Sequence, residues 1–532
     1  MTEADYVVVG AGSAGCIVAS RLAEQGASVV LLEAGGPDRT QLVRVPGMIS
    51  LVHSVPQLKK RLDWGYYTVP QKHASDRRIP STRGKVLGGS SSVNGMLFVR
   101  GNRGNYDSWA AEGCDGWSYD DVLPSFKRLE NWEGGANEAR GSGGPIEVTR
   151  QKDLTEASLG FIEALSDTVG VSKLDDYNGE RQEGASIFQQ SARDGLRFSS
   201  AQGYLTGRRI PNLRVETGVT VSRIVLDGSR ATGVEVIGKS GPRVIRASRE
   251  VVLSAGVFGS PHILMLSGIG PAGHLGDLGI DVAADLPVGQ NLHDHLFVPM
   301  TFLMKSAVHR GTPLHFLGGM AAEATRGDSW FGRTVFEAVG FVRSSAAGEL
   351  PDLQIHTLPW SYPKPNQDAP VRHKVDTRPA LTVLPTLIYP ASRGELRLAS
   401  TDPSAAPLID PAYLSEPADA DLLMDGIRMI REVMANKLIA SEVSGEFTPG
   451  PEFSDEASLA RELPNRVHTV YHPVGTCRMG VDERAVVDPA LRVRGIDGLR
   501  VADASIMPSI TGGNTNAPAM MIGEHCAGLL RS

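Results

Sequence analysis

The sequence is poor in cysteine and has no long apolar run. Its 532 residues include only four cysteines (Cys16, Cys114, Cys477 and Cys526), and no two of them form a C-x-x-C pair. This pattern is typical of reduced thiols rather than of a disulfide framework. No stretch approaches the roughly 18 apolar residues of a transmembrane helix, and the acidic N-terminus lacks the apolar core of a secretory signal. We therefore predict a cytoplasmic protein without a transmembrane segment.

Strong charge and two common catalytic motifs are also lacking. The net charge is −7, which favours neither nucleic acid nor an anionic membrane as a partner. The basic runs at 59–61 and 77–78 are short and typical of a solvated surface. There is no H-E-x-x-H zinc motif and no G-x-S-x-G nucleophile elbow, so an α/β-hydrolase is disfavoured.

A glycine-rich fingerprint occupies the first 36 residues. Gly10, Gly12 and Gly15 have the G-x-G-x-x-G spacing, between an apolar strand pattern at 6–9 and a helix pattern. In this motif the first glycine permits a tight turn, the second lets a pyrophosphate approach the backbone, and the third lets the helix pack on the strand. Glu33 ends the next apolar run, where an acid binds ribose hydroxyls. The pattern predicts a dinucleotide site and leaves FAD and NAD open.

Strand and helix patterns along the chain predict an α/β protein of two or three domains. Alternation over 212–249 and an apolar run at 251–255 predict separate strands, and 102–129 and 154–169 have helix patterns. Strand patterns at 381–389 and 395–399 predict an antiparallel sheet, and a helix is expected to begin near Pro417. A second G-x-G-x-x-G, at 268–273, follows a helix pattern and contains Pro271, so we interpret it as a helix-ending turn.

Five further blocks accompany the fingerprint. They are GKVLGGSS from Gly84, with Asn94 and Asp107, GVFGSPHILMLSGIG from Gly256, HTVYHPVGTCRMG from His468, LRVADASIMP from Leu499 and GNTNAP from Gly513. In this order they resemble the glucose–methanol–choline (GMC) oxidoreductases, FAD-dependent alcohol oxidases and dehydrogenases, over essentially the whole chain. Val257 departs from the family's small residue, and the turn at 286–292 is one glycine shorter than the family's.

The resemblance implies a Rossmann-like FAD-binding domain assembled from discontinuous segments, beside an α+β substrate domain with an antiparallel sheet. We place the first in residues 1–155, 212–298 and 466–532, and the second in 156–211 and 299–465. The residues that the resemblance and the fingerprint assign to the cofactor are Gly10, Gly12, Ser13, Ala14, Gly15, Glu33, Ala34, Trp64, Val86, Gly88, Gly89, Ser90, Asn94, Gly95, Met96, Val221, Ala255, Gly256, Asp503, Ala504, Thr515 and Asn516. Non-covalent FAD is predicted, because Val93 stands where some members attach it through histidine.

The resemblance also places catalysis at His472 and Asn514. Histidine, with an ordinary pKa of about 6.5, suits removal of a hydroxyl proton. His472 would take the proton while the hydride passes to flavin N5, and Asn514 would hold the oxygen. A helix expected to begin near Pro518 would direct its positive end at the flavin and stabilise the reduced form. The predicted function is FAD-dependent oxidation of an alcohol to an aldehyde or ketone.

Two other functions stay open: a hydroxynitrile lyase on the same scaffold, in which FAD is only structural, and a flavin-binding module without turnover. Neither the pair His468 and His472 nor the run 293–295 is predicted to hold a metal; the run is predicted to be structural. The electron acceptor is predicted to be dioxygen or a quinone- or dye-type carrier, and the protein to be a monomer or homodimer.

The substrate is weakly encoded. Tyr471 and Trp360 are candidate substrate contacts. Tyr471 is compatible with the aromatic recognition of a quaternary ammonium, but the segment 48–56 supplies no further aromatic residue. An uncharged aliphatic or aromatic alcohol is therefore also consistent with the sequence.

Overall fold

The computed structural model describes residues 3–238, 241–305, 311–327, 329–362 and 377–531. None of the helices in these ranges is both long and apolar enough to cross a membrane. All four cysteines are buried free thiols, as predicted. The α-helices of the described residues are α1 Gly15–Glu24, α2 Gln41–Arg44, α3 Met48–Ser54, α4 Pro56–Leu62, α5 Arg103–Ala111, α6 Tyr119–Leu129, α7 Glu156–Val169, α8 Ser200–Tyr204, α9 Gly256–Leu266, α10 Ala272–Asp277, α11 Pro313–Arg326, α12 Pro417–Ala435, α13 Glu456–Arg466 and α14 Asn516–Leu529.

The strands alternate with these helices at first and then dominate the middle of the chain. In the same ranges they are β1 Glu3–Val9, β2 Val29–Glu33, β3 Glu130–Trp132, β4 Ile146–Arg150, β5 Gly184–Ile187, β6 Gln189–Gln190, β7 Ala192–Arg193, β8 Leu196–Arg197, β9 Leu213–Thr217, β10 Thr220–Asp227, β11 Arg230–Gly238, β12 Gly241–Leu253, β13 Ile269–Gly270, β14 Ala284–Asp285, β15 Leu296–Phe297, β16 Met300–Met304, β17 Ala338–Val342, β18 Leu353–Leu358, β19 Ala380–Leu387, β20 Glu395–Arg397, β21 Leu408–Asp410, β22 Val443–Thr448, β23 His468–Thr469 and β24 Leu499–Val501.

The first sheet contains seven strands in the order β10-β11-β12-β1-β2-β9, with β24 paired to β12. Its centre is parallel, because β1 pairs in parallel with both β2 and β12. All five residues of β2 are buried, which explains its unbroken apolar sequence. The two strands predicted before and after residues 249–250 are one, β12, which runs unbroken from Gly241 to Leu253. The early half of β12 pairs with β11 and its last half with β1.

The second sheet is antiparallel and contains eight strands, in the order β22-β16-β19-β18-β17-β5, with β15 and β23 alongside. Helices α7 and α12 cover one face with a core that includes Phe161, Leu165, Leu423 and Ile427. The strand pattern at 395–399 was wrongly grouped with this sheet, because β20 pairs with β21 in a separate ribbon. The chain turns away after β19, where Asp419 accepts hydrogen bonds from two consecutive backbone amides.

A Rossmann-like sheet and an antiparallel sheet thus occur together, which confirms the predicted fold class. The strands of the first sheet come from three distant parts of the chain, before residue 34, from 213–253 and from 499–501. Strands β15 and β23 join the second sheet, although the predicted boundaries put both in the FAD-binding part. The exact domain boundaries stay a prediction.

Candidate active site

The glycine fingerprint lies where β1 ends, against the end of β12. The Gly10 amide donates to the Leu32 carbonyl at 2.8 Å, and Gly10 has a φ of +93°. A Cβ on Gly10 would lie 2.5 Å from the Ser254 carbonyl oxygen, and one on Gly15 would lie 1.9 Å from the Gly10 carbonyl oxygen. Neither position has room for a side chain, as the tight turn and the close strand–helix packing require.

Gly12 differs, because the space beside it is open. Among the described residues, a Cβ there would meet nothing closer than the Ser254 carbonyl oxygen, at 3.9 Å. Helix α1 begins three residues later, and in this part of the chain no side chain caps it and no acid stands in its first turn. The partial positive charge of this helix end is therefore available to an anion. The loop fits a pyrophosphate.

A second glycine-rich segment, residues 84–96, packs on the fingerprint. The Gly88 amide donates to the Ala11 carbonyl at 2.7 Å, and a Cβ on Gly89 would lie 2.8 Å from Gly12 Cα. The segment therefore closes one side of the open space. The predicted cofactor contacts on it are Val86, Gly88, Gly89, Ser90, Asn94, Gly95 and Met96.

Glu33 lies at the end of β2. Its carboxylate accepts hydrogen bonds from the amides of Ala11 (3.0 Å) and Gly35 (2.7 Å). Burial raises the pKa of this carboxyl to about 7, and the two hydrogen bonds act in the opposite direction. The Val219 amide donates to the Glu33 carbonyl, which brings the strand with Val221 to the same turn. Glu33 thus holds the fingerprint loop in place through these hydrogen bonds. Its contact with a ribose stays a prediction.

Ala34 and Trp64 lie beside the segment 84–96. Ala34 precedes Gly35, where a Cβ would lie 2.1 Å from the backbone of Lys85. The Lys85 ammonium in turn lies 4.3 Å from the centre of the Trp64 ring. Trp64 is 36% exposed and stacks on Tyr66. Its position is compatible with the predicted cofactor contact.

Residues far apart in the sequence meet on the other side of the fingerprint. The Ser13 hydroxyl donates to Asn516 Oδ1 at 2.7 Å. Asp503 accepts from the Gly256 amide (2.9 Å) and the Ser260 hydroxyl (2.6 Å). Helix α14 begins at Asn516, two residues before the predicted start, and within the described residues no side chain caps it. The predicted contacts at these junctions are Ser13, Ala14, Ala255, Gly256, Asp503, Ala504, Thr515 and Asn516.

His472 and Asn514, the predicted catalytic pair, lie side by side. Asn514 Nδ2 donates to His472 Nε2 at 3.1 Å, and each residue is only 9% exposed. Gln354 Nε2 donates to Asn514 Oδ1 at 3.1 Å, which orients the Asn514 amide with its donor toward His472. Nε2 of His472 therefore carries a lone pair, as a base requires.

The other ring nitrogen of His472 meets a second histidine. His472 Nδ1 lies 3.1 Å from His295 Nδ1, with the two rings nearly perpendicular. Because His472 Nε2 accepts, the His472 proton is on Nδ1, and His295 Nδ1 must accept it. His295 thus holds the His472 tautomer that presents a lone pair at Nε2.

Asp294 holds the backbone of His472. One carboxylate oxygen accepts from the His472 amide at 2.8 Å. The other accepts from the hydroxyls of Thr469 (2.5 Å) and Tyr413 (2.7 Å). Asp294 is 2% exposed, so the three donors take the place of water. Its role in the structure is to position the loop that carries the candidate base.

Sequence reasoning missed three members of this site. Gln354 lies on β18 in a part of the chain without a recognised motif. His295 and Asp294 were noticed, but only as a structural turn. The pairing of β15 with β23 brings His295 and Asp294 to the site. Each of these strands has only two residues, so the sequence contains no recognisable strand pattern that could have predicted the pairing.

The described residues contain no group of three or more His, Cys, Asp or Glu side chains that could hold a metal ion. His468 lies on β23 and His472 follows in non-helical chain, so the two do not share a helix face. His293 Nδ1 lies 2.6 Å from the Asn291 carbonyl oxygen.

The candidate substrate contacts Tyr471 and Trp360 differ in their surroundings. Tyr471 is adjacent to His472, is 40% exposed and has a φ of +66°. Its carbonyl accepts a hydrogen bond from Arg83 at 2.5 Å. Trp360 packs in an apolar cluster around Phe297. Both residues stay candidates for contact with a substrate.

Burial holds the pKa of four histidines of this region below the ordinary value. Burial lowers the pKa of His293, His295 and His356 to about 3. It also lowers the pKa of His472 well below 6.5, and His295, His356 and Arg83 make smaller contributions to that shift. His472 is thus neutral at neutral pH and able to accept a proton.

We expect these histidines to make the fold acid-sensitive. Below about pH 6.5 they bind protons in the unfolded chain but not in the folded one. The free energy of unfolding therefore decreases as the pH is lowered, until the folded-state pKa is reached. Each histidine should contribute about 1.4 kcal/mol per pH unit in that window. Urea unfolding at pH 7.5 and 5.5 measures the difference in the free energy of unfolding, and His356→Gln should reduce that difference by about 1.4 kcal/mol. A slope of zero would contradict the buried neutral histidines.

The fold and the site define an oxidoreductase of two sheets, in which a dinucleotide cradle adjoins a neutral histidine. Two models of the GMC oxidoreductase family match the chain, over residues 4–297 and 390–523. The chain therefore belongs to the GMC oxidoreductase family of FAD-binding enzymes, as the motifs predicted.

Individual relatives agree with this assignment. An oxygen-dependent choline dehydrogenase from Sinorhizobium medicae is 40% identical, over 99% of this chain and 95% of that protein. An uncharacterized GMC-type oxidoreductase from Mycobacterium bovis is 41% identical over the full length of both. Among solved structures, pyridoxine 4-oxidase from Mesorbium loti superposes with a TM-score of 0.87 at 29% identity, covering 98% of each chain. A variant formate oxidase from Aspergillus oryzae has a TM-score of 0.89 at 27% identity, covering 99% of this chain and 98% of that one.

Three features of the structure fit FAD. The space beside Gly12 is open, while its neighbours Gly10, Gly15 and Gly89 are closely packed. In the described residues, the helices that begin at Gly15 and Asn516 have no side-chain cap. One can receive the pyrophosphate, and the other can face the negative edge of a flavin. The two helix ends are joined through the hydrogen bond of Ser13 to Asn516.

Proposed function

We propose that this enzyme oxidises the CH–OH group of a small-molecule alcohol to an aldehyde or ketone, with His472 as the base. The observation that carries the proposal is the pair of His472 Nε2 and Asn514 Nδ2, 3.1 Å apart, beside a cradle that fits FAD. A neutral imidazole and a fixed amide donor are the groups that would bind and deprotonate a hydroxyl.

Each residue of the site has a step in this proposal. The substrate oxygen would accept from Asn514 Nδ2, and its proton would move to His472 Nε2. His295 keeps the Nδ1 proton of His472 in place, and Asp294 holds the backbone. Bound FAD would supply the acceptor for the hydride at its N5 atom. Removal of the proton and the hydride converts the alcohol to the carbonyl product. The reaction therefore balances without a further co-reactant until the flavin is reoxidised.

The FAD is proposed to be held without a covalent bond. Val93 stands at the position through which some members of the family attach FAD covalently, and it is buried, with 7% of its surface exposed. Acid denaturation followed by filtration should move all flavin absorbance into the filtrate. Absorbance that stays with the protein would contradict the proposal.

Anaerobic mixing with a panel of alcohols tests the function. We expect bleaching of the flavin absorbance and formation of the carbonyl product. Unchanged flavin with cyanohydrin cleavage would identify a lyase instead, and unchanged flavin without turnover a binding module. We propose dioxygen or a quinone-type carrier as the electron acceptor. Peroxide release measured beside a dye-linked assay distinguishes the two, and sedimentation distinguishes a monomer from a homodimer.

A further inference from the structure

The peptide unit between Tyr471 and His472 is held from both sides. Its N–H belongs to His472 and donates to the Asp294 carboxylate at 2.8 Å. Its carbonyl belongs to Tyr471 and accepts from Arg83 Nη2 at 2.5 Å. Hydrogen bonds with one ionised partner are stronger than those between neutral groups. The backbone directly before the candidate base is therefore fixed by a carboxylate on one side and a guanidinium on the other.

The backbone of Tyr471 depends on such support, because it is strained. Its φ of +66° lies in the left-handed region, which costs a residue with a Cβ about 1–2 kcal/mol. The Tyr471 amide donates to the Thr469 hydroxyl at 2.7 Å, and Arg83 holds the carbonyl. If Arg83 releases the carbonyl, the turn can relax toward the commoner backbone conformations, and the ring of His472 moves with it.

The backbone of Arg83 is itself anchored where the segment 84–96 begins. Its amide donates to Asp63 Oδ1 at 3.0 Å, and its carbonyl accepts from the Trp64 amide at 3.0 Å. Tyr471 lies 388 residues further along the chain. The Arg83 side chain thus joins the segment predicted to contact FAD to the loop that carries the candidate base.

The charge of Arg83 also acts on His472. Burial lowers the pKa of Arg83, and the carboxylates of Asp294 and Asp63 act in the opposite direction, so the guanidinium stays positive at neutral pH. Burial is the main cause of the low pKa of His472, and the positive charge of Arg83 adds to it. The other groups that contact His472 or act on its charge are His295, His356, Asp294 and Asn514. Removal of the Arg83 charge is therefore expected to raise the pKa of His472.

We propose that Arg83 is a positioning residue for the candidate base: it holds the peptide unit before His472 against the segment predicted to contact FAD. The inference deepens the proposed function and rests on it, since it assigns a further residue to the same site. Arg83 acts through the backbone of Tyr471 and sets the place of His472 Nε2. Its loss should therefore slow flavin reduction much more than it weakens alcohol binding.

Two substitutions of Arg83 test this role in the holoenzyme. Arg83→Met keeps a long side chain without charge or donors, and Arg83→Lys keeps the charge and a donor. Anaerobic stopped-flow reduction is measured with the fastest alcohol of a panel that includes choline and benzyl alcohol, per bound flavin. Arg83→Met should lower the limiting rate about 10- to 100-fold and change the alcohol Kd less than about 3-fold. Arg83→Lys should lie closer to the unmodified enzyme than to Arg83→Met.

A pH profile gives a second readout, which a merely structural arginine would not change. In Arg83→Met, the pH below which kcat/KM falls should be higher than in the unmodified enzyme, whereas Arg83→Lys should keep it low. Arg78→Met is the matched control and should change neither rate nor profile, because the exposed Arg78 also donates to a backbone carbonyl, that of Thr68. An unmodified rate in Arg83→Met, a loss confined to the alcohol Kd or an unshifted profile would overturn the inference.

A double-mutant cycle with Asp294→Asn tests the shared peptide unit. Because both side chains hold the same unit, their effects on the limiting rate should not be independent. The loss in the double variant should be at least about 3-fold smaller than the product of the two single losses, and a simple product would overturn the inference. If Asp294→Asn does not fold, the Arg83 variants decide alone. If no alcohol of the panel reduces the flavin of the unmodified enzyme, the proposed function itself fails, which is a different result from an unmodified rate in Arg83→Met.

Discussion

Replacing His472 by alanine is expected to lower the rate of anaerobic flavin reduction by about 1,000-fold, within the range of 100- to 10,000-fold that a positioned base contributes. The physical reason is that Nε2 of His472 carries the lone pair that can take the substrate proton, 3.1 Å from the Asn514 amide. In the pair His472–His295, the two Nδ1 atoms contact each other, so neither of them is open to the substrate. FAD content should be unchanged, since the contacts found for His472 lie with His295, Asp294 and Asn514. Stopped-flow absorbance measures the rate.

Two comparisons make this result specific. His73→Ala removes an exposed histidine and should leave the rate unaltered. Imidazole in the buffer should partly rescue His472→Ala, which a merely distorted site would not allow. In the unmodified enzyme, kcat/KM should stay constant down to below pH 6.5, because burial lowers the pKa of His472 and only its neutral form accepts a proton. A wild-type rate in His472→Ala would refute the assignment of the base.

Replacing Gly12 by alanine is expected to weaken FAD binding by at least about 100-fold, or about 2.7 kcal/mol. The added methyl group would lie 3.9 Å from its nearest neighbour in the described chain, so the protein itself has room for it. The loss would come from the cofactor, because the methyl group enters the space that the pyrophosphate needs. Fluorescence titration of the apoprotein with FAD measures the change.

Two further glycines calibrate this experiment. Gly15→Ala would put a Cβ 1.9 Å from the Gly10 carbonyl oxygen, whereas the Cβ of Gly276→Ala, in α10, would meet none of the described residues within 4 Å. We expect Gly15→Ala to lower the Tm of the apoprotein and Gly276→Ala to leave both Tm and FAD affinity in place. Gly12→Ala should resemble Gly276→Ala in apoprotein stability and differ from it in FAD binding. Normal FAD affinity in Gly12→Ala would show that the pyrophosphate lies elsewhere.

The fold was predictable where local pattern and motif agree. The strand–glycine–helix unit at the N-terminus, the helix that begins at Pro417 and the helix-ending turn after Leu266 all have the predicted form. Prediction failed where the partner of a strand mattered. Nothing near Ser248 shows that β12 pairs with β11 over its first half and with β1 and β24 over its second, and nothing near Glu395 shows that β20 pairs with β21. Pairing depends on the register of distant segments, and local composition does not encode it.

By itself, the sequence determined that the chain has a dinucleotide fingerprint, belongs with the GMC oxidoreductases and carries its candidate base at His472. Only the tertiary structure decided what surrounds that base: Asn514 from 42 residues away, His295 from 177 residues away, and Gln354, which orients Asn514. It also decided that Leu296 packs in the core under α7 and α12 while Phe297 packs on the opposite face of β15. The physical reason is that strand side chains alternate between faces, so a shift of one residue in register would exchange the places of Leu296 and Phe297. Motif residues are recognised from their neighbours in the chain, whereas the partners of the candidate base depend on how distant segments are paired and packed.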